Sequence, residues 1–144
     1  MKIKQVAVET ILPLRRDILR QGFTLDQSRF EGDLNPDSFH LALFDQDEIL
    51  AIASYVFDLS DFSPVEKQYR LRGMAVAANQ QNKGFGKAIF QEGERLLREK
   101  QIPYLWFNAR TPAVDFYKKQ NCRVLGEEFN IPTAGPHYYM YKNL

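Results

Sequence analysis

The chain has 144 residues, of which 44% are hydrophobic and 26% charged, and its formal net charge is +1. These values fit one soluble globular domain over residues 1–144, and a nearly neutral charge gives no general attraction to nucleic acids or membranes. No apolar run approaches the roughly 20 residues that a membrane-spanning helix needs. The N-terminal segment is too charged for an export signal, and the single Cys122 cannot form an internal disulfide, so we expect a cytoplasmic protein.

The first half of the chain predicts a strand, a helix and a hairpin. Alternating apolar and polar residues predict the first strand, and Thr10 is the expected cap of a helix with Pro13 in its first turn. Glycine, asparagine and proline then predict a loop, and two strand-like segments follow, joined by an acidic turn. In order, we predict a strand at 3–8, a helix at 10–20, a loop at 21–38 and strands at 39–44 and 49–57.

After a polar loop at 58–67, the second half of the chain predicts alternating strands and helices. Phe85, Ile89, Gly93 and Leu97 follow the spacing of one apolar helix face. In order, we predict a strand at 69–76, a helix at 84–100, a strand at 103–108, a helix at 112–120 and strands at 122–129 and 137–142. This mixture predicts an α/β (α+β) fold with a central mixed, mostly antiparallel sheet and helices on both faces.

The segment from Leu71 to Leu97 combines a strand, a polar loop with two closely spaced glycines and an amphipathic helix. Glycines allow close backbone approach to a ligand, and the N-terminus of a helix favours a phosphate. A Walker loop does not fit, because alanine follows the Gly-Lys pair, and a Rossmann loop lacks its third glycine. The remaining pattern is Gln/Arg-x-x-Gly-x-Gly/Ala, typical of coenzyme A pyrophosphate loops, which Gln81, Gly84 and Gly86 match.

Over nearly its whole length the chain resembles the GNAT superfamily of acetyl-CoA-dependent N-acetyltransferases. Besides the loop, the resemblance is carried by the strands at 71–76 and 105–110 and by residues 113–122, which are similar to the pattern A-x-x-F-Y-x-K-x-G-F. Asn121 and Cys122 replace the final Gly-Phe, but asparagine tolerates a left-handed backbone and Cys122 still supplies an apolar side chain. The resemblance implies a single-domain GNAT-like fold whose sheet splays apart at the cofactor site.

The resemblance also implies which residues hold acetyl-CoA. Backbone N–H groups of the loop would bind the pyrophosphate, and the strand before it would pair with the pantetheine arm. Lys83 and Lys87 either add positive charge or are ordinary solvated residues, and Asn108 either binds pantetheine or is satisfied locally. The implied contacts are Met74, Ala75, Val76, Gln81, Asn82, Lys83, Gly84, Phe85, Gly86, Lys87, Asn108 and Phe116. No metal is expected.

Tyr117 is the catalytic residue that the resemblance implies. A phenol, with an unperturbed pKa of about 10, holds a proton that it can give to the leaving thiolate, although a buried packing role for Tyr117 stays open. A backbone N–H near Val76 is the expected donor to the carbonyl oxygen. No general base stands out, and the reserve candidates are Glu31, Asp33, His40, Glu128 and His137.

Arg70 and Arg72 occupy strand positions where relatives often carry a Glu or His that acts as the general base. Arginine cannot serve as a base at neutral pH. Two interpretations remain open for them. The acceptor carries an anionic group that a guanidinium binds, or the arginines pair with acidic residues of the protein. His137, at the start of the last strand, is a further candidate for contact with the acceptor.

The expected function is therefore transfer of an acetyl group from acetyl-CoA to a primary amine of a small molecule or peptide, with Tyr117 as general acid. The alternative is a coenzyme A-binding sensor or interaction protein with little catalytic activity. A longer acyl donor also stays open. No nucleic acid or membrane partner is expected, and because dimers are common in the family, a homodimer is one of the assemblies to test.

Overall fold

The structure is a computed structural model that describes all residues from Met1 to Leu144. Its sheet has eight strands, which are β1 (Lys2–Val6), β2 (Phe39–Asp45), β3 (Glu48–Phe57), β4 (Gln68–Val76), β5 (Tyr104–Arg110), β6 (Arg123–Val124), β7 (Phe129–Ile131) and β8 (Gly135–Asn143). The helices are α1 (Val8–Leu19), α2 (Phe85–Glu99) and α3 (Val114–Lys119). None of these helices is long and apolar enough to cross a bilayer.

The strand order is β1-β2-β3-β4-β5-β8-β6, with β7 paired to β8. Only β4 and β5 are parallel, and the other pairs are antiparallel. The long crossover through α2 explains this parallel pair, because parallel neighbours cannot be joined by a tight hairpin. The predicted mixed, mostly antiparallel sheet is confirmed.

Helices cover both faces of the sheet, as predicted. On one face, α2 and α3 contribute Ile89, Phe90 and Tyr117 to the larger core. On the other face, α1 packs Ile11 and Leu12 in a smaller cluster. The spacing of apolar residues in α2 therefore marks its buried side correctly.

Two expectations about local structure are wrong. Helix α1 begins at Val8, and the capping position is Ala7, which offers no side-chain hydrogen bond. Thr10 is already helical, its N–H bonds to the Ala7 carbonyl, and Pro13 lies in the second turn. A continuous strand at 122–129 is also wrong, because Gly126 has a φ of 84° and turns the chain between β6 and β7.

The sheet opens between β4 and β5. Only three residue pairs join the two strands, and the last of them is Arg70 with Trp106. In contrast, β5 stays paired with β8 as far as Arg110. In β4 the register to β3 shifts between Arg72 and Ala75, and Gly73 inside this bulge has a φ of 65°. A bulge bends its strand and increases the local twist, so it turns β4 away from β5. The predicted splay is present, and it leaves backbone groups of both strands facing a gap.

Candidate active site

A cavity of about 520 Å³ opens at this gap. It is bordered by β4, β5, α3, the start of β8 and the loop after α1. The cavity brings together six residues predicted from sequence, namely Arg70, Arg72, Met74, Asn108, Tyr117 and His137. Residues that are distant along the chain thus meet where the sheet is open.

The loop before α2 presents free backbone donors. Its backbone N–H groups from 82 to 87 find no acceptor in the chain, and the first helical bond runs from the Ala88 N–H to the Gly84 carbonyl. Asn82 and Gly84 have φ values of 63° and 86°, so both take left-handed conformations. Consecutive free N–H groups at a helix N-terminus form an anion-binding cradle. The loop therefore fits the pyrophosphate role expected of it.

Gly86 differs from Gly84 in its backbone. It is helical, and an added Cβ would lie 3.4 Å from the Phe116 ring and 3.6 Å from Val76, which are ordinary contact distances. Neither the backbone angles nor the packing therefore requires glycine at this position. Phe116 packs against the start of α2 at this point.

Gln81 ties the loop to β4. Its side-chain amide donates to the Val76 carbonyl over 3.3 Å. The Ala77 N–H bonds to the Leu50 carbonyl of the neighbouring strand, at 2.9 Å. Because successive residues of a strand direct their polar groups to opposite sides, the Val76 N–H points away from β3 toward the gap. This is the N–H expected to donate to a carbonyl oxygen.

The lysines of the loop are exposed. The Lys83 ammonium donates to the Gln80 side chain over 3.2 Å, and no partner within the chain is found for Lys87. Both remain available to an anion in the cradle.

Tyr117 lies between the core and the cavity. Its ring packs 4.4 Å from the Phe107 ring and 5.1 Å from Phe116, measured between centroids, and only 8% of the residue is exposed. No hydrogen bond of its hydroxyl is found within the chain. Burial raises the pKa of Tyr117 above its ordinary value, so the phenol holds its proton throughout the neutral range. Tyr117 therefore packs in the core and is also among the residues that line the cavity.

The turn after α3 explains how this tyrosine is held. The N–H groups of Gln120 and Cys122 donate to the Tyr117 carbonyl at 3.0 and 3.1 Å. Asn121 between them has a φ of 66°, and Cys122 is buried. The replacement of Gly-Phe by Asn-Cys thus keeps both the left-handed turn and the apolar contact, as predicted.

Arg70 and Arg72 differ in their partners. Arg70 donates to Asp58 over 3.4 Å and lies 4.6 Å from the Trp106 ring. Arg72 forms no hydrogen bond or ion pair in the chain, and its guanidinium stacks 4.7 Å from the Phe30 ring. Burial and the neighbouring charge of Arg70 lower the pKa of Arg72 to about 10, which leaves it protonated at neutral pH. Pairing with an acidic residue is found for Arg70 but not for Arg72.

A buried polar network next to the cavity was not foreseen. The Arg15 guanidinium donates to both carboxylate oxygens of Asp33, at 2.7 and 3.1 Å, and to the Ser54 hydroxyl at 2.8 Å. His40 lies 2.7 Å from the Ser54 hydroxyl and 3.0 Å from the Asp33 carbonyl. Asp33 and His40 therefore have structural partners, which argues against a role for either as the general base.

One sequence signal could have found this network. Arg15 follows Val8, Ile11 and Leu12 at helical spacing, so it stands on the buried face of α1. A charged residue at such a position needs a buried partner. The identity of the partner was not readable, because Asp33 comes from the irregular loop after α1.

The other candidate bases, Glu31, Glu128 and His137, differ in burial and in their hydrogen bonds. Glu31 and Glu128 are exposed, and Glu128 accepts a hydrogen bond from the Thr111 hydroxyl. His137 is buried beside the cavity, and its Nδ1 lies 2.7 Å from the Gly135 carbonyl. A carbonyl can only accept, so Nδ1 carries a proton, and in the neutral form of the ring Nε2 has a lone pair. His137 is the reserve candidate whose lone pair is free.

The comparisons with known proteins agree with this geometry. The sequence model of the Acetyltransferase (GNAT) family matches residues 9–121. The chain is 32% identical over 144 residues to the uncharacterized N-acetyltransferase YitI of Bacillus subtilis (strain 168), and the match covers 100% of this chain and 97% of that protein.

Solved structures share the fold. ElaA of Escherichia coli matches with a TM-score of 0.82 at 15% identity, over 99% of this chain and 100% of the other. An aminoglycoside 6'-N-acetyltransferase complexed with coenzyme A matches with a TM-score of 0.73 at 13% identity, over 99% of this chain and 97% of the other. The family match spans most of the chain. It includes the gap between β4 and β5, the loop of free N–H groups before α2, and α3 with Phe116 and Tyr117 (the Phe-Tyr helix). The chain therefore belongs to the GNAT family of N-acetyltransferases.

Proposed function

We propose that this protein transfers an acetyl group from acetyl-CoA to a primary amine of a small molecule or peptide, with Tyr117 as the general acid. The observation that carries the proposal is Tyr117, which lines the cavity where the sheet opens and whose hydroxyl has no hydrogen-bond partner in the chain. Burial keeps this hydroxyl protonated, as a general acid requires.

The residues present fit acetyl-CoA. The N–H groups of 82–87 and the ammonium groups of Lys83 and Lys87 would hold the pyrophosphate. The open edge of β4 from Met74 to Val76 would pair with the amides of the pantetheine arm, since β5 no longer occupies that side. Asn108 faces the same gap from β5 and has an unpaired amide to offer. Acetyl-CoA itself supplies an activated acyl carbon.

Two groups of the chain, the Val76 N–H and the Tyr117 hydroxyl, would stabilise the charge that develops during acetyl transfer. As the amine nitrogen bonds to the acyl carbon and the C–S bond breaks, the Val76 N–H would donate to the carbonyl oxygen. The Tyr117 hydroxyl would donate to the leaving sulfur and pass its proton there. The attacking neutral amine gives up one proton, which passes through water or through a nearby base such as His137 and restores Tyr117.

A coenzyme A-binding sensor with little catalysis is the second candidate. It shares the loop and the gap, and it is favoured by the arginines of β4, which cannot accept a proton. The two functions differ in whether an amine reaches the Tyr117 side of the cavity.

A sequence of two experiments tests both candidates. Acetyl-CoA at about 100 times its dissociation constant should stabilise the protein by roughly 2.7 kcal/mol in thermal unfolding, and no shift would contradict both functions. Thiol release is then measured with a panel of primary amines. Tyr117→Phe should lower kcat by about 10²- to 10⁴-fold while the acetyl-CoA dissociation constant stays unchanged.

Tyr141→Phe provides the matched control, because Tyr141 packs on Tyr104 outside the cavity. It should keep wild-type kcat. Binding of acetyl-CoA by wild type without thiol release for any amine of the panel would favour the sensor, and normal turnover by Tyr117→Phe would remove the general acid from the proposal.

A further inference from the structure

We propose that the acceptor amine carries a carboxylate or phosphate group and that Arg72 binds this group. The inference rests on the proposed function, because it assigns the substrate class of the same cavity. The half-buried guanidinium of Arg72 has no acidic partner in the chain.

Two neighbouring arginines are matched by carboxylates, whereas Arg20, half-buried beside the same Phe30 ring, has no carboxylate partner either. Arg15 is fully buried and bonds to Asp33, and Arg70, with 21% of its side chain exposed, bonds to Asp58. Arg72 has neither a carboxylate within ion-pair distance nor any hydrogen bond. A charge that is partly withdrawn from water without a partner costs free energy, and a ligand that supplies the opposite charge recovers it.

The charge of the cavity points the same way. Four arginines border it, namely Arg20, Arg70, Arg72 and Arg110, and no aspartate or glutamate is among its lining residues. The nearest acidic groups are already committed, since Asp33 is bound by Arg15 and Asp58 by Arg70. The cavity thus has an excess of positive charge although the whole chain is nearly neutral. Such local potential attracts and orients anions.

The Arg72 guanidinium lies over the Phe30 ring. The ring centroid lies 4.7 Å from the guanidinium of Arg72 and 4.1 Å from that of Arg15. The backbone N–H of Phe30 donates to the Asp33 carboxylate. Gly73 permits this stacking, because a Cβ at that position would approach the Phe30 ring within 2.8 Å. Stacking uses the face of the guanidinium and leaves its N–H edge free, and that edge matches a carboxylate or phosphate with two parallel bonds.

The anion that Arg72 would bind is not the coenzyme A pyrophosphate. Arg72 precedes Val76 by four residues of β4, which separates them by roughly 13 Å at the rise of an extended strand. The pyrophosphate loop begins farther along still, at Gln81. Arg72 also lies on the α1 side of the sheet with Phe30 and Arg15, whereas the loop leads into α2 on the other side. The site therefore faces the acceptor.

Matched pairs of amines test the inference through turnover. The acidic members are 4-aminobutyrate and 2-aminoethyl phosphate, and the neutral members are butylamine and 2-aminoethanol. Wild type should show at least a 10-fold higher kcat/KM for the acidic member of a pair. Arg72→Gln should lower kcat/KM for the acidic member by about 10- to 100-fold and leave the neutral member unchanged.

Two further variants separate recognition from structure. Arg72→Lys keeps the charge without the planar fork and should give an intermediate loss. Arg95→Gln, which removes an exposed arginine of α2 that bonds to Glu92 and Glu99, should match wild type. Equal kcat/KM within each pair, or an equal loss for both members in Arg72→Gln, would overturn the inference.

A binding measurement decides the case in which none of these amines is acetylated. Glutarate and glutaramide are titrated calorimetrically into protein saturated with coenzyme A, which keeps the pyrophosphate loop occupied. Preferential binding of glutarate that is lost in Arg72→Gln and kept in Arg95→Gln supports the inference, and equal or absent binding of the two overturns it. A missing acetyl-CoA thermal shift would instead contradict the proposed function, and the same titration on free protein would still test Arg72.

Discussion

The Asp33 carboxylate holds the Arg15 guanidinium through two hydrogen bonds, and both side chains are at most 3% exposed. The same carboxylate accepts the Phe30 N–H at 2.7 Å, and the Arg15 guanidinium lies against the Phe30 ring. The pair therefore joins α1 to the following loop and positions the aromatic ring on which Arg72 stacks. This ion pair therefore links α1, the following loop and the aromatic ring beside Arg72.

Asp33→Asn is expected to lower the free energy of unfolding by about 3–5 kcal/mol, because it leaves the Arg15 charge buried without its counter-ion. Urea unfolding followed by circular dichroism measures the change. Asp17→Asn is the control, since Asp17 pairs with Arg16 at the surface with 59% of its side chain exposed. That variant should stay within about 1 kcal/mol of wild type. A similar small loss for Asp33→Asn would show that the buried pair contributes little.

Gly93 of α2 faces the Tyr55 ring of β3, and the fit leaves no room for a side chain. A Cβ on Gly93 would overlap the Tyr55 hydroxyl, which is itself buried without a hydrogen-bond partner. Gly93→Ala is expected to destabilise the protein by roughly 1–3 kcal/mol through overpacking, despite the better helix propensity of alanine. Gln91→Ala, at an exposed site of the same helix, should be nearly neutral.

Tyr55→Phe tests the other half of this contact. Removal of a buried hydroxyl without a partner should leave the free energy of unfolding unchanged or raise it, because its desolvation is not compensated in the folded state. Chemical denaturation at pH 7 provides the measurement. A loss above about 1 kcal/mol would mean that the hydroxyl has a partner in solution.

The protein is expected to lose stability in alkaline solution. Burial raises the pKa of Tyr55 and Tyr117, and it raises the pKa of Cys122 to about 12. Between the unfolded and folded pKa values, the folded chain binds more protons, so the free energy of unfolding falls as the pH rises. The fall should begin near the unfolded pKa of cysteine, about 8.5, and steepen above about 10 as the tyrosines contribute.

Urea midpoints at pH 7, 9 and 10.5 measure this dependence. Cys122→Val should remove the first part of the fall and keep the second, because Tyr55 and Tyr117 remain. The raised pKa of Tyr117 also predicts that its own ionisation produces no change in turnover between pH 7 and about 9. A flat stability profile up to pH 10.5 would contradict the burial of these groups.

The sequence was sufficient to predict the local geometry of the elements that we propose to bind acetyl-CoA. The loop, the Phe-Tyr helix and the left-handed Asn121 are encoded by contiguous residues, so their geometry follows from local pattern. The acceptor side was not readable in the same way. The stacking of Phe30 on Arg72 and the pairing of Arg15 with Asp33 depend on an irregular loop that returns to β4. Only the folded chain shows that Arg70 has a partner and Arg72 has none.

Gly84 is expected to control affinity for acetyl-CoA through its backbone. Its φ is 86° and no atom lies within 4 Å of a built Cβ, so Gly84→Ala adds conformational cost without a clash. A left-handed backbone costs alanine about 1–2 kcal/mol. We expect the free loop of Gly84→Ala to relax away from this conformation and acetyl-CoA to restore it, which predicts a 5- to 30-fold higher acetyl-CoA dissociation constant by calorimetry. Gly126→Ala is a matched control, because Gly126 has a φ of 84°, an equally open site and a position between β6 and β7. Gly126→Ala should lower the free energy of unfolding by the same amount and bind acetyl-CoA like wild type. Unchanged affinity in Gly84→Ala would show that Gly84 is not part of the pyrophosphate cradle.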